Sequence, residues 1–212
     1  MAVVKFWYPI AVRAALAIAL SLTSASGYAD AREALSQRLD GLAEYVADFS
    51  QEIRGAQGQV LERSTGQLFI QRPQFKWVVD QPYPQVVVTE GEFLKVYDPD
   101  LEQLTVRPLK DALDDTPVSL LTRKGVVLGD EFQVVEVSDQ LGSSYILSPN
   151  SPDTLYAEIR LHFSNVTLVG LAILDHLGQF TEILFTPAPE STVIQSNEFQ
   201  LSVPPGTDVI GG

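Results

Sequence analysis

The residues best suited to chemistry in this chain are few. A hydrolase needs a nucleophile beside a base, or a metal, and the only histidines are His162 and His176. His162 falls on the polar side of an alternating segment, and His176 sits in Asp175-His176-Leu177-Gly178, which reads as a hairpin turn. Neither placement suits a catalytic base, and two such histidines without any cysteine argue against zinc coordination. Asp98, Asp100 and Glu102 are close enough in sequence to hold calcium or to form an acid/base pair. They lack the glycine and the regular spacing of a calcium loop, so Asp98-Pro99-Asp100 is read as a β-turn with solvated acids at its tip. Asp111, Asp114 and Asp115 are read as helix-start and surface charges, and no glycine-rich phosphate loop is present. The residues therefore predict no catalytic site, no metal site and no cofactor.

The ends of the chain bear on where it works. Lys5 and Arg13 precede an apolar run from Ala14 to Leu20, too short to span a bilayer. Small residues follow, and Gly27-Tyr28-Ala29 fits a signal-peptidase site, so residues 1–29 are expected to be a signal peptide cleaved after Ala29. Export without cysteine points to a Gram-negative periplasm, and a chain with no cysteine cannot be lipidated there. Residues 30–212 are enough for one domain. That part carries 12 basic and 27 acidic residues, a net charge of −15, which argues against nucleic acid or anionic headgroups as partners.

The elements that must position any site follow from periodicity. Leu35, Leu39, Leu42, Val46 and Phe49 recur at steps of four and three, which predicts an amphipathic helix over Asp30 to Phe49. Beyond Gly66, β-rich runs alternate with turn residues. Eleven strands are expected, at 68–71, 75–80, 85–89, 93–97, 104–107, 132–137, 145–147, 156–163, 167–175, 179–186 and 198–203. Thr116-Pro117 through Leu121 predicts a short helix closed near Gly125. In Tyr156 to Phe163, Ala157, Ile159, Leu161 and Phe163 face one way and Tyr156, Glu158, Arg160 and His162 the other, so one face of the sheet is wet there. The expected fold is mainly β: a large, curved antiparallel sheet whose concave side two or three helices do not fill, which leaves room for a ligand.

Gly66-Gln67-Leu68 through Arg72-Pro73, Phe75-Lys76-Trp77 and Tyr97-Asp98-Pro99-Asp100-Leu101-Glu102-Gln103 carry a family resemblance. It continues in Thr116-Pro117, Leu120-Leu121, Asp175, Gly178-Gln179 and the closing segment from Val203-Pro204-Pro205-Gly206-Thr207-Asp208 to Ile210. Together these segments resemble the LolA family of outer-membrane lipoprotein carriers over nearly all of residues 30–212. The resemblance implies an open half-barrel lidded by helices, with acylated lipoproteins as cargo. It further implies an inner-membrane ABC transporter of the LolCDE type as donor and the lipidated receptor LolB as acceptor. The carrier itself is expected to be a non-enzymatic, periplasmic monomer. In the family the arginine matching Arg72 holds the lid through backbone carbonyls, a task suited to a five-donor, permanently charged group.

Phe75 and Trp77 alternate with Lys76 and so share a face. Under the resemblance they become cavity wall together with Leu68, Phe93, Ile146 and Ile183, while Leu35, Leu39, Leu42, Val46, Leu120 and Leu121 form the underside of the lid. One departure bears on this: the family has an additional residue between the Arg-Pro pair and the aromatic, where here only Gln74 stands. Either a bulge is lost or the turn absorbs the change. Two other readings stay open. One is a periplasmic glycolipid carrier, or a regulator sensing lipid or misfolded protein, on the same fold; the other is a secreted hydrolase using His162 or His176.

Overall fold

The computed structural model describes residues 23–112, 119–122, 128–138, 140 and 142–211. Helix α1 (Thr23–Asp40) leads through a 3-10 turn (Gly41–Ala43) into a long run of strands. These are β1 (Glu44–Arg54), β2 (Val60–Gln71), β3 (Gln74–Gln81), β4 (Gln85–Glu90), β5 (Phe93–Asp98) and β6 (Gln103–Pro108). Three one-turn helices follow, α2 (Leu109–Ala112), α3 (Ser119–Thr122) and α4 (Leu128–Glu131). The remaining strands are β7 (Phe132–Ser138), β8 (Ser143–Pro149), β9 (Tyr156–Ser164), β10 (Thr167–Asp175), β11 (Phe180–Pro187) and β12 (Asp208–Gly211). All belong to one sheet in the order β12-β6-β5-β4-β3-β2-β1-β11-β10-β9-β8-β7, with β12 and β7 as its unjoined edges. Neighbours are antiparallel except β12, which runs parallel to β6. The fold is therefore the expected open half-barrel, mainly β.

Three expectations about elements are corrected. The helix does not reach Phe49: it ends at Asp40, ahead of Gly41, and Glu44–Arg54 is a strand. The steps of three and four continue through Val46 and Phe49 by coincidence, because Tyr45, Ala47 and Phe49 also alternate at the period of a strand and all three are buried. Pairing on both sides, with β2 and with β11, overrides the helical pattern. The first half of β2 likewise precedes the expected start of the sheet at residue 68. At the other end, residues 198–203 form no strand, and the last strand is β12. That segment instead crosses the outer face: Phe199 is buried there, Lys76 pairs with Glu198 at 2.8 Å, and Glu90 accepts the Leu201 amide at 3.1 Å. Twelve strands thus replace eleven.

The expected cleavage point after Ala29 falls within α1, and residues 1–22 lie outside the described residues. Thr116, Pro117 and Gly125 lie outside them as well; of that predicted helix, α3 is the part described. The core is one continuous layer between the inner face of the sheet and the helices. Leu35, Leu39, Leu42, Leu121 and Leu128 from the helical side meet Leu68, Ile70, Phe75, Tyr145, Leu147, Ile159, Leu161, Phe163 and Ile183 from the strands. The predicted alternation in β9 holds, with Ile159, Leu161 and Phe163 fully buried and Arg160 exposed.

Candidate functional site

The β2–β3 hairpin places the arginine. Gln71 pairs with Gln74, so Arg72 and Pro73 alone make the turn, and the register runs on without a break to Phe75 opposite Ile70 and Trp77 opposite Leu68. With one residue fewer than the family pattern, the hairpin has no bulge between Arg72 and Trp77, and Phe75 and Trp77 both keep the inner face. The Arg72 backbone amide donates to the Ala43 carbonyl at 2.9 Å, which ties the turn to the end of the helical entry. Its side chain is only 4% exposed. Nε donates to the Leu121 carbonyl at 2.9 Å, a terminal nitrogen donates to the Leu39 carbonyl, and Asp40 lies 3.6 Å away. Burial lowers the pKa of Arg72 and Asp40 works against that shift. The group stays charged at any physiological pH, so one cation joins α1, α3 and the β2–β3 turn.

The inner face between these elements is apolar and closed in this state. Leu35, Leu39 and Leu42 face inward from the helical entry, with Leu121 from α3, all at 3% exposure or less. Beneath them are Leu68, Phe75 and Ile183, again buried. Trp77 is half-buried at the margin and stacks on Phe49 with ring centroids 3.8 Å apart and planes inclined by 22°. Leu120 lies in α3, where only its backbone is described. Two surface clefts, of about 320 and 450 Å³, lie away from this layer, beside Glu44, Pro187 and Ile194 in one case and Gln74, Phe199 and Leu201 in the other.

Three expected site residues belong to the other side of the sheet. Val46 pairs with Phe69 on the face opposite Tyr45 and Ala47, beneath the segment whose Ala188 amide donates to the Val46 carbonyl. It cannot form the underside of a lid, because it lies in a strand and not in α1. Phe93 pairs with Glu90 in the β4–β5 hairpin and is 40% exposed, while its neighbour Leu94 takes the inner face. Ile146 pairs with Val135 and Arg160 between the buried Tyr145 and Leu147, so the period of two sends it outward.

Some participants were not anticipated. Arg38, in the last turn of α1, donates from Nε to the Tyr145 hydroxyl at 2.8 Å and from a terminal nitrogen to the Asn165 carbonyl. Its guanidinium carbon lies 5.7 Å from the centroid of the Tyr145 ring and 5.6 Å from that of Phe163. Beside it is Glu136. Burial pushes that carboxyl up, but hydrogen bonds from Ser138, Ser143 and Tyr145 outweigh burial and hold it below the usual carboxylate range. Tyr45 donates its hydroxyl to the Leu168 carbonyl at 2.6 Å, and burial raises the pKa of its phenol. Alternation could have found Phe49 and Tyr45 on the inner face; no sequence pattern announces Arg38.

The residues weighed for chemistry are spread apart. His162 makes a 2.9 Å hydrogen bond with Ser144, on the outer-facing side of β9, and His176 is exposed. Asp175 organises its hairpin turn by accepting the Leu177 and Gln179 amides. Asp98 accepts a hydrogen bond from Gln85, and Asp100 and Glu102 lie in and after the 3-10 turn that closes the β5–β6 hairpin. Among the described residues no group of three acidic or histidine side chains is arranged to hold a metal ion.

The family model for the outer membrane lipoprotein carrier protein LolA matches residues 40–202. The outer-membrane lipoprotein carrier protein of Chromohalobacter salexigens is 37% identical over 206 residues, covering 97% of both chains. That of Hahella chejuensis is 36% identical over 93% of this chain and 94% of its own. In fold, the chain is similar to the crystal structure of an uncharacterized conserved protein from Thermus thermophilus, with a TM-score of 0.54 at 14% identity, over 85% of this chain and 98% of that one. With its matched span, its open sheet and its helix-covered apolar face, the chain belongs to the LolA family of outer-membrane lipoprotein carriers.

Proposed function

We propose that this protein is a periplasmic lipoprotein carrier that takes acylated lipoproteins from an inner-membrane ABC transporter of the LolCDE type and gives them to the outer-membrane receptor LolB. The acyl chains lie on the inner face of the sheet, against Leu68, Phe75, Trp77 and Ile183, when the helices of α1 and α3 part from it. Arg72 holds those helices down when the site is empty. The observation that carries the reading is the bridge itself, a buried guanidinium whose donors end on the carbonyls of Leu39 and Leu121. Such a bridge depends on no side chain of the lid and can be made and broken without unfolding a strand. No bond is made or broken in the cargo, and no enzymatic step is assigned to the chain. In the described residues no helix is long and apolar enough to cross a membrane.

Energetics explain why a lid should compete with cargo. Each buried methylene contributes about 0.8 kcal/mol, so one fully buried chain of about sixteen carbons is worth on the order of 12 kcal/mol. Two or three chains bound so tightly would not leave on a useful timescale. Closure of the apolar layer over itself restores buried area as the chains depart, and each charge-assisted hydrogen bond adds roughly 1.5 to 3 kcal/mol to the closed state. The test is depletion in the native host: outer-membrane lipoproteins should accumulate in the inner membrane. Correct sorting after depletion would remove the reading.

A further inference from the structure

Phe49 was not among the residues expected at the site, yet its position is the most unusual on the inner face. It lies on β1 directly opposite Gly66 on β2, and it stacks on Trp77, which belongs to the next strand beyond, β3. The ring spans β2 because Gly66 has no side chain. A Cβ there would fall 2.8 Å from the Cζ of Phe49 and 1.8 Å from the carbonyl oxygen of Val78. Gly66 thus forms the bed on which Phe49 lies flat, and the stack crosses three strands at the level where burial changes. Toward the Arg72 end lie Leu68, Ile70 and Phe75, all buried; Val79 toward the other end, and Val87 opposite Trp77, are half-buried. One residue pair further along β1 and β2 the inner face turns polar, with Gln51 donating to the buried Ser64 at 3.1 Å. The Phe49–Trp77 pair therefore lies just inside the Gln51–Ser64 contact on these strands, near the buried Ile183 that pairs with Gln51 on β11.

We propose that Phe49 is a movable plug: in the empty carrier its ring occupies acyl-chain space over Gly66, and an incoming chain displaces it from Trp77 and takes its place on that bed. The inference rests on the carrier reading, with saturated acyl chains of lipoproteins as the ligand. Flat aromatic stacking suits the task, since the pair fills the space of a chain while adding only a small directional attraction to its area. A side chain on one strand swinging aside also opens the path without a change of register.

The chain offers its own reporter. Its two tryptophans are Trp7, in the predicted signal peptide, and Trp77, so the exported form carries Trp77 alone. The experiment adds a synthetic triacylated lipopeptide with brominated acyl chains to the exported protein. Binding is measured by calorimetry and Trp77 emission in parallel. Bromine quenches by contact, so the plug predicts strong quenching of Trp77 on binding, together with a shift of its emission that the unbrominated lipopeptide reproduces. Phe49→Leu keeps an apolar residue but removes the stack, and it should bind the lipopeptide about two- to ten-fold more tightly than wild type. Calorimetric binding with Trp77 unquenched would overturn the plug and take Trp77 out of the acyl-chain wall, leaving the carrier role itself standing. Weaker binding by Phe49→Leu would make Phe49 an ordinary wall residue. If that variant fails to fold, Phe49→Met, which likewise removes the stack, is measured in its place with the same two outcomes, and absence of any binding would count against the carrier reading as well as the plug.

Discussion

The two halves of the inner face differ in how they are covered. On β7 to β10, Val134, Tyr145, Leu147, Ile159, Leu161, Phe163 and Leu168 are fully buried, and Arg38 fastens α1 to that half through Tyr145 and the β9–β10 turn. On β3 to β5 only Phe75, Thr89 and Leu94 are buried on the inner side, close to Arg72, while Trp77, Val79, Val87 and Val96 are half-buried. The same sheet thus has a sealed half and a half-open one. The difference shows how one continuous core can serve both stability and binding: α1 is docked in the closed state where Arg38 and a closed apolar layer meet it, and the margin near Trp77 is left incompletely covered.

Truncation should break this comparison most visibly. Leu161→Ala, in the sealed half, should cost about 3 kcal/mol through lost burial and the cavity left behind. Val87→Ala, in the half-open region, should cost about 1 kcal/mol or less, because its surroundings are already partly solvated. Denaturant unfolding measures both. Equal losses would mean that the helices cover the two halves alike.

The junction between the halves is tested by Arg72→Leu. Each of the two hydrogen bonds of the bridge contributes roughly 1.5 to 3 kcal/mol, so losing even one removes a bias of about ten-fold to a hundred-fold toward the closed lid. The variant should stay folded and accept lipoprotein from inner-membrane vesicles while its transfer to the receptor slows or fails. Arg72→Lys should recover part of the transfer, since an ammonium reaches one carbonyl well but lacks the planar fork that serves two. Transfer at wild-type rates from Arg72→Leu would remove the latch.

The smallest effect belongs to acid. The Glu136 carboxyl is held below its ordinary value of 4.5 in the folded protein, so its ionised form favours folding. That contribution is complete above the unfolded value and is lost as the pH falls through the folded one. Because the residue is exposed, solvent screening keeps the contribution small. Wild type should therefore lose slightly more stability than Glu136→Gln between about pH 6 and about pH 3. Parallel curves for the two proteins would show that the hydroxyls around Glu136 do not favour its ionised form.

The sequence carried the fold where local pattern and tertiary demand agreed. In β9 the alternation names the buried residues directly, and in the β2–β3 hairpin Arg72-Pro73 followed by Phe75-Lys76-Trp77 places the arginine at the turn and both aromatics inside. It misled where two periods fit the same residues: Val46 and Phe49 satisfy a helical stripe, and only the neighbours of β1 decide for the strand. Phe93 and Ile146 show the complementary limit. Each is a large apolar residue in a correctly predicted strand, but the inner face is chosen by the phase of pairing, which local hydrophobicity does not report. The outer-face position of residues 198–203 and the anchor made by Arg38 depend on contacts between distant parts of the chain, from Lys76 to Glu198 and from Arg38 to Tyr145. No local signal could have revealed them.

The central claim, that acyl chains lie on the inner face of the sheet beneath the lid, is tested most directly by photo-crosslinking. Lipoprotein bearing photoactivatable acyl chains would be loaded onto the carrier from inner-membrane vesicles, irradiated, and the labelled residues mapped by mass spectrometry. The account predicts adducts at Leu68, Phe75, Trp77 and Ile183 and on the lid residues Leu35, Leu39 and Leu121, with Val46, Phe93 and Ile146 unlabelled. Labelling concentrated on Val46, Phe93 and Ile146, across the outer face, would contradict it.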